Sequence, residues 1–170
     1  MLVIVCGLPG VGKTTVAEDV AERVDATRFR TDVIRKELFD DPDYTEVESY
    51  MVYETLFERA KELLGEGERV VLDATFQREA DRLRAKAIAS LLDVPFDCYE
   101  VTCDEAVVRE RIAAREGDAS DADFEIHQYY RDIFDPLSMP HTTIDNSGSE
   151  EETAEQVAAC FESTVTPPTQ

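Results

Sequence analysis

Lysine is scarce in this chain. Four lysines (Lys13, Lys36, Lys61 and Lys86) and 13 arginines face 38 aspartates and glutamates, and the formal net charge is −21 over 170 residues. Phosphate-rich polymers need local positive charge, so this balance disfavours a nucleic-acid partner without excluding one by itself. An acidic excess combined with lysine depletion suits a salt-rich, halophilic cytoplasm, where carboxylates keep the protein hydrated and self-repulsion is screened. A dedicated cationic partner is the competing explanation. Long apolar runs are missing as well. No segment approaches the roughly 18 to 20 consecutive apolar residues of a membrane span, so no membrane partner is expected. The cysteines (Cys6, Cys98, Cys103 and Cys160) lack paired metal spacing and read as reduced, mostly packed thiols in a cytoplasm. Leu2–Cys6 has no basic lead and runs straight into glycines, unlike a signal peptide. No internal repeat or low-complexity linker divides the chain. One domain is expected over residues 1–163, as a monomer or homodimer, with a frayed tail at 164–170 that carries two prolines.

Strand and helix signals alternate along the rest. Leu2-Val3-Ile4-Val5-Cys6 is an uninterrupted apolar run of the kind buried on both faces of a sheet. A glycine loop follows, then helical spacing from Thr14 to Val24. Weak strand character at 26–30 leads into a short helix at 32–39, which Asp41-Pro42-Asp43 breaks. A long amphipathic helix spans 46–64 and stops near Gly65 and Gly67. Further strands are expected at 69–73, 95–102 and 142–145, and further helices at 78–92, 104–115, 122–134 and 150–161. Such alternation argues for an α/β domain with a parallel sheet covered on both faces.

Four groups of residues carry chemistry. Gly7-Leu8-Pro9-Gly10-Val11-Gly12-Lys13-Thr14 lies between the buried strand and the first helix, and Thr15 continues it. Its glycines let backbone N–H groups converge on a phosphate at the positive end of a helix. Lys13 bridges the β- and γ-phosphates of ATP, and the Thr14 hydroxyl ligates Mg²⁺. Asp73 ends the strand Val70-Val71-Leu72. At the carboxyl edge of a parallel sheet it can bind Mg²⁺, directly or through water, or contact an acceptor, and Thr75 can share that site. An N-cap or a solvated turn carboxylate is the plain alternative. In Thr31-Asp32-Val33-Ile34-Arg35, Asp32 can take an acceptor's hydroxyl proton while Arg35, one turn on, orients the acceptor; otherwise Asp32 only caps a helix. Arg111 and Arg115, four apart, can clamp transferring phosphate charge or stack on a base. Gly117 would then let 116–123 close as a lid. Ion pairing with the surplus carboxylates is the alternative for them, as for the pair Arg78 and Arg82. His127 and His141 belong to no ligand or triad pattern. Tyr50, Tyr53 and Phe57 read as core, with one of them able to line an acceptor pocket.

These residues resemble the P-loop kinases grouped around polynucleotide kinase, gluconate kinase, chloramphenicol phosphotransferase and the zeta toxins. The chain is most similar to the compact "AAA family ATPase" members of that group. The likeness runs from Leu2 to about Pro136 and rests on the glycine loop, Thr31-Asp32 with Arg35, Val71-Leu72-Asp73-Ala74-Thr75-Phe76 with Arg78 and Arg82, Arg111 with Arg115, and Ser120-Asp121-Ala122-Asp123. It implies a three-layer P-loop NTPase sandwich with a five-stranded parallel sheet in the order 2-3-1-4-5 and a small lid. It implies Asp32 as general base, Arg35 as an acceptor or phosphate contact, Arg111 and Arg115 as lid arginines, and 145–148 as an adenine loop. The function expected is transfer of the ATP γ-phosphate to a hydroxyl of a small metabolite, nucleoside or sugar acid. The alternatives are a nucleic-acid 5′-end kinase, a nucleotide-binding regulator without an acceptor, and a toxin-type nucleotide-sugar kinase.

Overall fold

A computed structural model describes residues 1–115 and 120–162. The expected lid falls across the undescribed span 116–119, and the expected tail lies outside the described residues. The chain runs β1 (Leu2–Cys6), α1 (Lys13–Val24), β2 (Thr27–Arg30), α2 (Thr31–Leu38), α3 (Glu46–Gly65), β3 (Val70–Asp73), α4 (Glu79–Leu91), β4 (Phe96–Thr102), α5 (Glu105–Ala114), α6 (Ser120–Ile133), β5 (Thr142–Asp145) and α7 (Glu150–Glu162). Five strands form one sheet in the order β2-β3-β1-β4-β5, and every adjacent pair is parallel. The fold is the expected P-loop NTPase sandwich.

β1 is central, and all five of its residues are buried. Successive side chains of a strand point to opposite faces, so β1 feeds two separate cores. Leu2, Ile4 and Cys6 pack with Val52, Leu56 and Phe57 of α3 and Ala85 and Ile88 of α4. Val3 and Val5 pack with Val16, Ala17 and Val20 of α1, Val108 and Ile112 of α5, and Val157 of α7. β2 is an edge strand with the pattern Thr-Arg-Phe-Arg and no fully buried residue, which is why its sequence signal is weak. Among the described residues no helix is long and apolar enough to cross a membrane.

Parallel strands bring β1, β2 and β3 to one carboxyl edge. The glycine loop, Thr31-Asp32 and Asp73 therefore gather there, although they lie far apart in sequence.

Candidate active site

The loop between β1 and α1 is held open by its backbone. Gly7 and Gly12 have φ of 148° and 89°, where a side chain is strained. A Cβ on Gly7 would sit 2.4 Å from the Val101 carbonyl oxygen, and one on Gly12 would sit 2.2 Å from Asn146 Nδ2. That asparagine supports the loop from below. Its amide donates to Val11 O at 2.8 Å, its own oxygen accepts from Thr153 Oγ1 at 2.7 Å, and its backbone N–H bonds Thr102 O. A second support comes from α6, where buried His127 stacks on Phe124 and places Nδ1 2.7 Å from Pro9 O.

Lys13 Nζ donates to Leu8 O at 2.9 Å, which folds the side chain back over its own loop. Burial pulls its pKa down to about 8, and the negative charge of Asp73 and Asp32 pulls the other way. Asp73, 5% exposed, accepts from Thr14 Oγ1 and from Arg28 Nη1, each at 3.2 Å, and both bonds land on Oδ2. Burial raises its pKa against the pull of Lys13, Thr14, Arg28 and Arg30. Thr75 lies just beyond, where its carbonyl accepts from Gly7 N at 3.2 Å.

Asp32 stands in the first turn of α2 with its side chain 57% exposed. Arg30 Nη2 holds one carboxylate oxygen at 2.6 Å, and Val33 N donates to the other at 2.9 Å. Arg35 is fixed by Glu48 at 3.4 Å, by Ser49 Oγ at 3.1 Å and by the Tyr44 ring, whose centroid lies 4.9 Å from the guanidinium. A cavity of about 240 Å³ opens beside them, with Thr31, Arg35, Tyr50, Tyr53, Thr75 and Arg78 in its walls.

Arginines read as pairs separate in space. Arg78 is exposed at the cavity rim, 3.4 Å from Glu46. Arg82 is 0% exposed and donates to the carbonyls of Phe76, Asp135 and Pro136 at 2.6, 2.9 and 2.9 Å, so it clamps backbone rather than ligand. Arg111 turns to Gly148 O at 3.1 Å and Cys103 Sγ at 3.6 Å, toward the loop after β5. Arg115 is exposed at the last described residue before 116–119. Of the aromatics, Tyr50 and Tyr53 line the cavity, whereas Phe57 is core. Asn146 and His127 are the supports that sequence reasoning did not assign. Their partners are backbone carbonyls, which leave no mark on the sequence.

Thr14 Oγ1 and the Asp73 carboxylate offer two neighbouring oxygens of the kind Mg²⁺ takes together with phosphate oxygens and water. Among the described residues no group of three or more His, Cys, Asp or Glu side chains could hold a metal alone.

A family model described as an AAA domain matches residues 2–137. An uncharacterized protein of Mycobacterium tuberculosis is 35% identical over 139 residues, and the match covers 74% of this chain and 28% of that protein. The chain thus spans little more than a quarter of the curated relatives it matches. Two solved structures share the fold. The M. tuberculosis APS kinase CysC, in complex with AMPPNP and APS, has a TM-score of 0.71 at 20% identity, covering 95% of this chain and 96% of its own. A gluconokinase from Sinorhizobium meliloti has a TM-score of 0.68 at 18% identity, covering 95% and 93%.

Proposed function

The chain belongs to the AAA domain family, and on that premise we propose that it is an ATP-dependent phosphotransferase that moves the γ-phosphate to a hydroxyl of a small acceptor. The cavity beside Asp32 carries this reading. A nucleotide-binding switch needs the glycine loop, but it has no use for a second compartment walled by Thr31, the neighbour of Asp32, and by Thr75, whose carbonyl accepts from Gly7 N of that loop. The nucleotide-bound APS kinase and the gluconokinase, built on the same fold, support the reading.

The roles follow from position. Residues Gly7 to Thr15 wrap the triphosphate, and Lys13 exchanges the Leu8 carbonyl for β- and γ-phosphate oxygens. Thr14 and Asp73 are the residues that would hold Mg²⁺, Asp73 directly or through water. When bound, the metal neutralises charge on the β- and γ-phosphate oxygens. Asp32 accepts the acceptor's hydroxyl proton as that oxygen bonds to the γ-phosphorus, and the bond from phosphorus to the β-bridging oxygen breaks to release ADP. Arg30 holds the Asp32 carboxylate in place. Arg111, held in α5 on Gly148 O and Cys103 Sγ, and Arg115 at its end are the further candidate phosphate contacts.

Arg28, Arg30 and Arg35 would have to make a basic mouth for a nucleic-acid 5′ end. All three are spent on carboxylates, Arg28 on Asp73 and Glu18, Arg30 on Asp32 and Arg35 on Glu48, which supports a small acceptor. The test is Asp32→Asn, assayed by ADP release over an acceptor panel in high KCl. Transfer should fall roughly 10²- to 10⁴-fold while ATP affinity stays at the parent value. Unchanged turnover would remove Asp32 from the mechanism and leave it a helix cap.

A further inference from the structure

The charges of the acceptor cavity are unevenly satisfied. Three guanidinium groups line it, and each already has a carboxylate. Arg84 is held by both oxygens of Glu54 and lies 4.7 Å over the Phe57 ring. Arg35 is held by Glu48, and Arg78 stands 3.4 Å from Glu46. A third lining carboxylate, that of Asp81 on α4, makes no hydrogen bond or ion pair among the described residues, although the Asp81 backbone N–H donates to Arg78 O. Three guanidinium groups and three carboxylates line the cavity, Arg35 is paired by Glu48 from outside it, and the lining carboxylate left without a direct partner is Asp81. Around it stand Tyr50, Tyr53, Tyr129 and Tyr130, which give the cavity apolar faces with hydroxyl tips.

We propose that the acceptor is an amine-bearing alcohol whose ammonium group binds Asp81 while its ring or carbon frame lies on the tyrosines. The inference rests on the kinase reading and narrows it. A sugar acid would meet guanidinium groups that are already neutralised and a carboxylate that is not. An ammonium supplies the missing counter-charge and donates to an oxygen with room to accept. Partial burial raises the Asp81 carboxyl against the pull of Arg78, Arg84 and Arg82, and a bound ammonium would add to that pull. Tyrosine faces favour cations too, and the field of a protein at −21 draws amines and repels acids.

Asp81 also has an ordinary role. With Glu79 it places negative charge in the first turn of α4, where the helix N-terminus welcomes it. Glu79 shares that role but accepts from Ser138 and does not line the cavity. The two carboxylates therefore separate helix stabilisation from acceptor binding.

The protein loaded with a non-hydrolysable ATP analogue is titrated by calorimetry in high KCl with glucosamine, glucose and gluconate, and with 2-deoxystreptamine and inositol. Each amine should bind about 10- to 100-fold tighter than its neutral counterpart, the range of one charge-assisted bond, and gluconate should bind most weakly. Asp81→Asn should erase the amine's advantage and leave the neutral compounds unchanged. Asp81→Glu should retain the preference, which keeps the test decisive if the asparagine variant folds poorly. Glu79→Gln should leave the whole series as it is. The inference is overturned if gluconate binds tightest, if no amine binds, if Asp81→Asn weakens amine and neutral compounds alike, or if Glu79→Gln reproduces it. Transfer from ATP is measured in parallel. Asp81-dependent amine binding without phosphorylation would sustain the acceptor class and defeat the kinase reading, whereas phosphorylation of gluconate would do the reverse.

Discussion

Raising the pH should weaken nucleotide binding through Lys13 alone. In the free protein its pKa is pulled down to about 8 by burial, so above that pH the site presents a neutral amine. A triphosphate binds the ammonium and holds the proton, which lifts the pKa in the complex. The sign is fixed by linkage: the bound state carries more protons than the free state, so affinity falls as pH rises. With a free pKa of about 8, the protonated fraction drops from about ten in eleven at pH 7 to about one in eleven at pH 9, and Kd should rise about tenfold between them. Calorimetry with a non-hydrolysable ATP analogue, in two buffers of different ionisation enthalpy, reads the same event directly. About 0.9 proton should be taken up per nucleotide at pH 9 and about 0.1 at pH 7. Lys13→Arg, always charged, should keep a flat profile even where its geometry costs affinity. A pH-independent Kd with no proton uptake at pH 9 would refute the reasoning, because the lysine would then be fully charged in its folded-back position on Leu8 O.

Other changes test the scaffold. Gly12→Ala should destabilise the loop by roughly 1–3 kcal/mol from its left-handed backbone alone. Its Cβ also displaces Asn146, so loss of analogue binding is expected, while Gly65→Ala, with open space around it, should leave the melting temperature at or above the parent value. Arg82→Met leaves the Phe76, Asp135 and Pro136 carbonyls without their donor and should cost about 1–3 kcal/mol in urea denaturation; no measurable loss would mean the clamp contributes little. Dialysis from molar KCl to about 10 mM should lower the melting temperature as the screening length grows. A constant value would favour a cationic partner as the reason for the −21 charge.

Most of the fold could be read because its signals are local. β1 and the Val70–Leu72 stretch of β3 are unbroken apolar runs, and each occupies the interior of a parallel sheet where such runs belong. The glycine loop was legible because its spacing is the mechanism. α6 begins at Ser120 rather than two residues later, because its polar first turn looks like loop in sequence. Arg78 and Arg82 look alike at helical spacing, yet one sits at the rim and the other under it. Only the three carbonyls that converge on Arg82 distinguish them. The same limit hid His127, whose partner is the carbonyl of Pro9, 118 residues earlier. A charge balance such as that around Asp81 emerges only when α2, α3, α4 and α6 are brought together in space.

The asparagine beneath the loop also sets a schedule. Val11 and Asn146 are 135 residues apart, and the brace between them cannot exist until β5 is made. At roughly 5–20 residues per second, a ribosome needs on the order of ten seconds to cover that distance. Throughout that interval the nascent chain displays every residue of the phosphate loop without the amide that holds it in shape. ATP therefore meets a braced loop only after residue 146 has been made. A nonsense fragment that stops before residue 146 inherits the motif and loses its use.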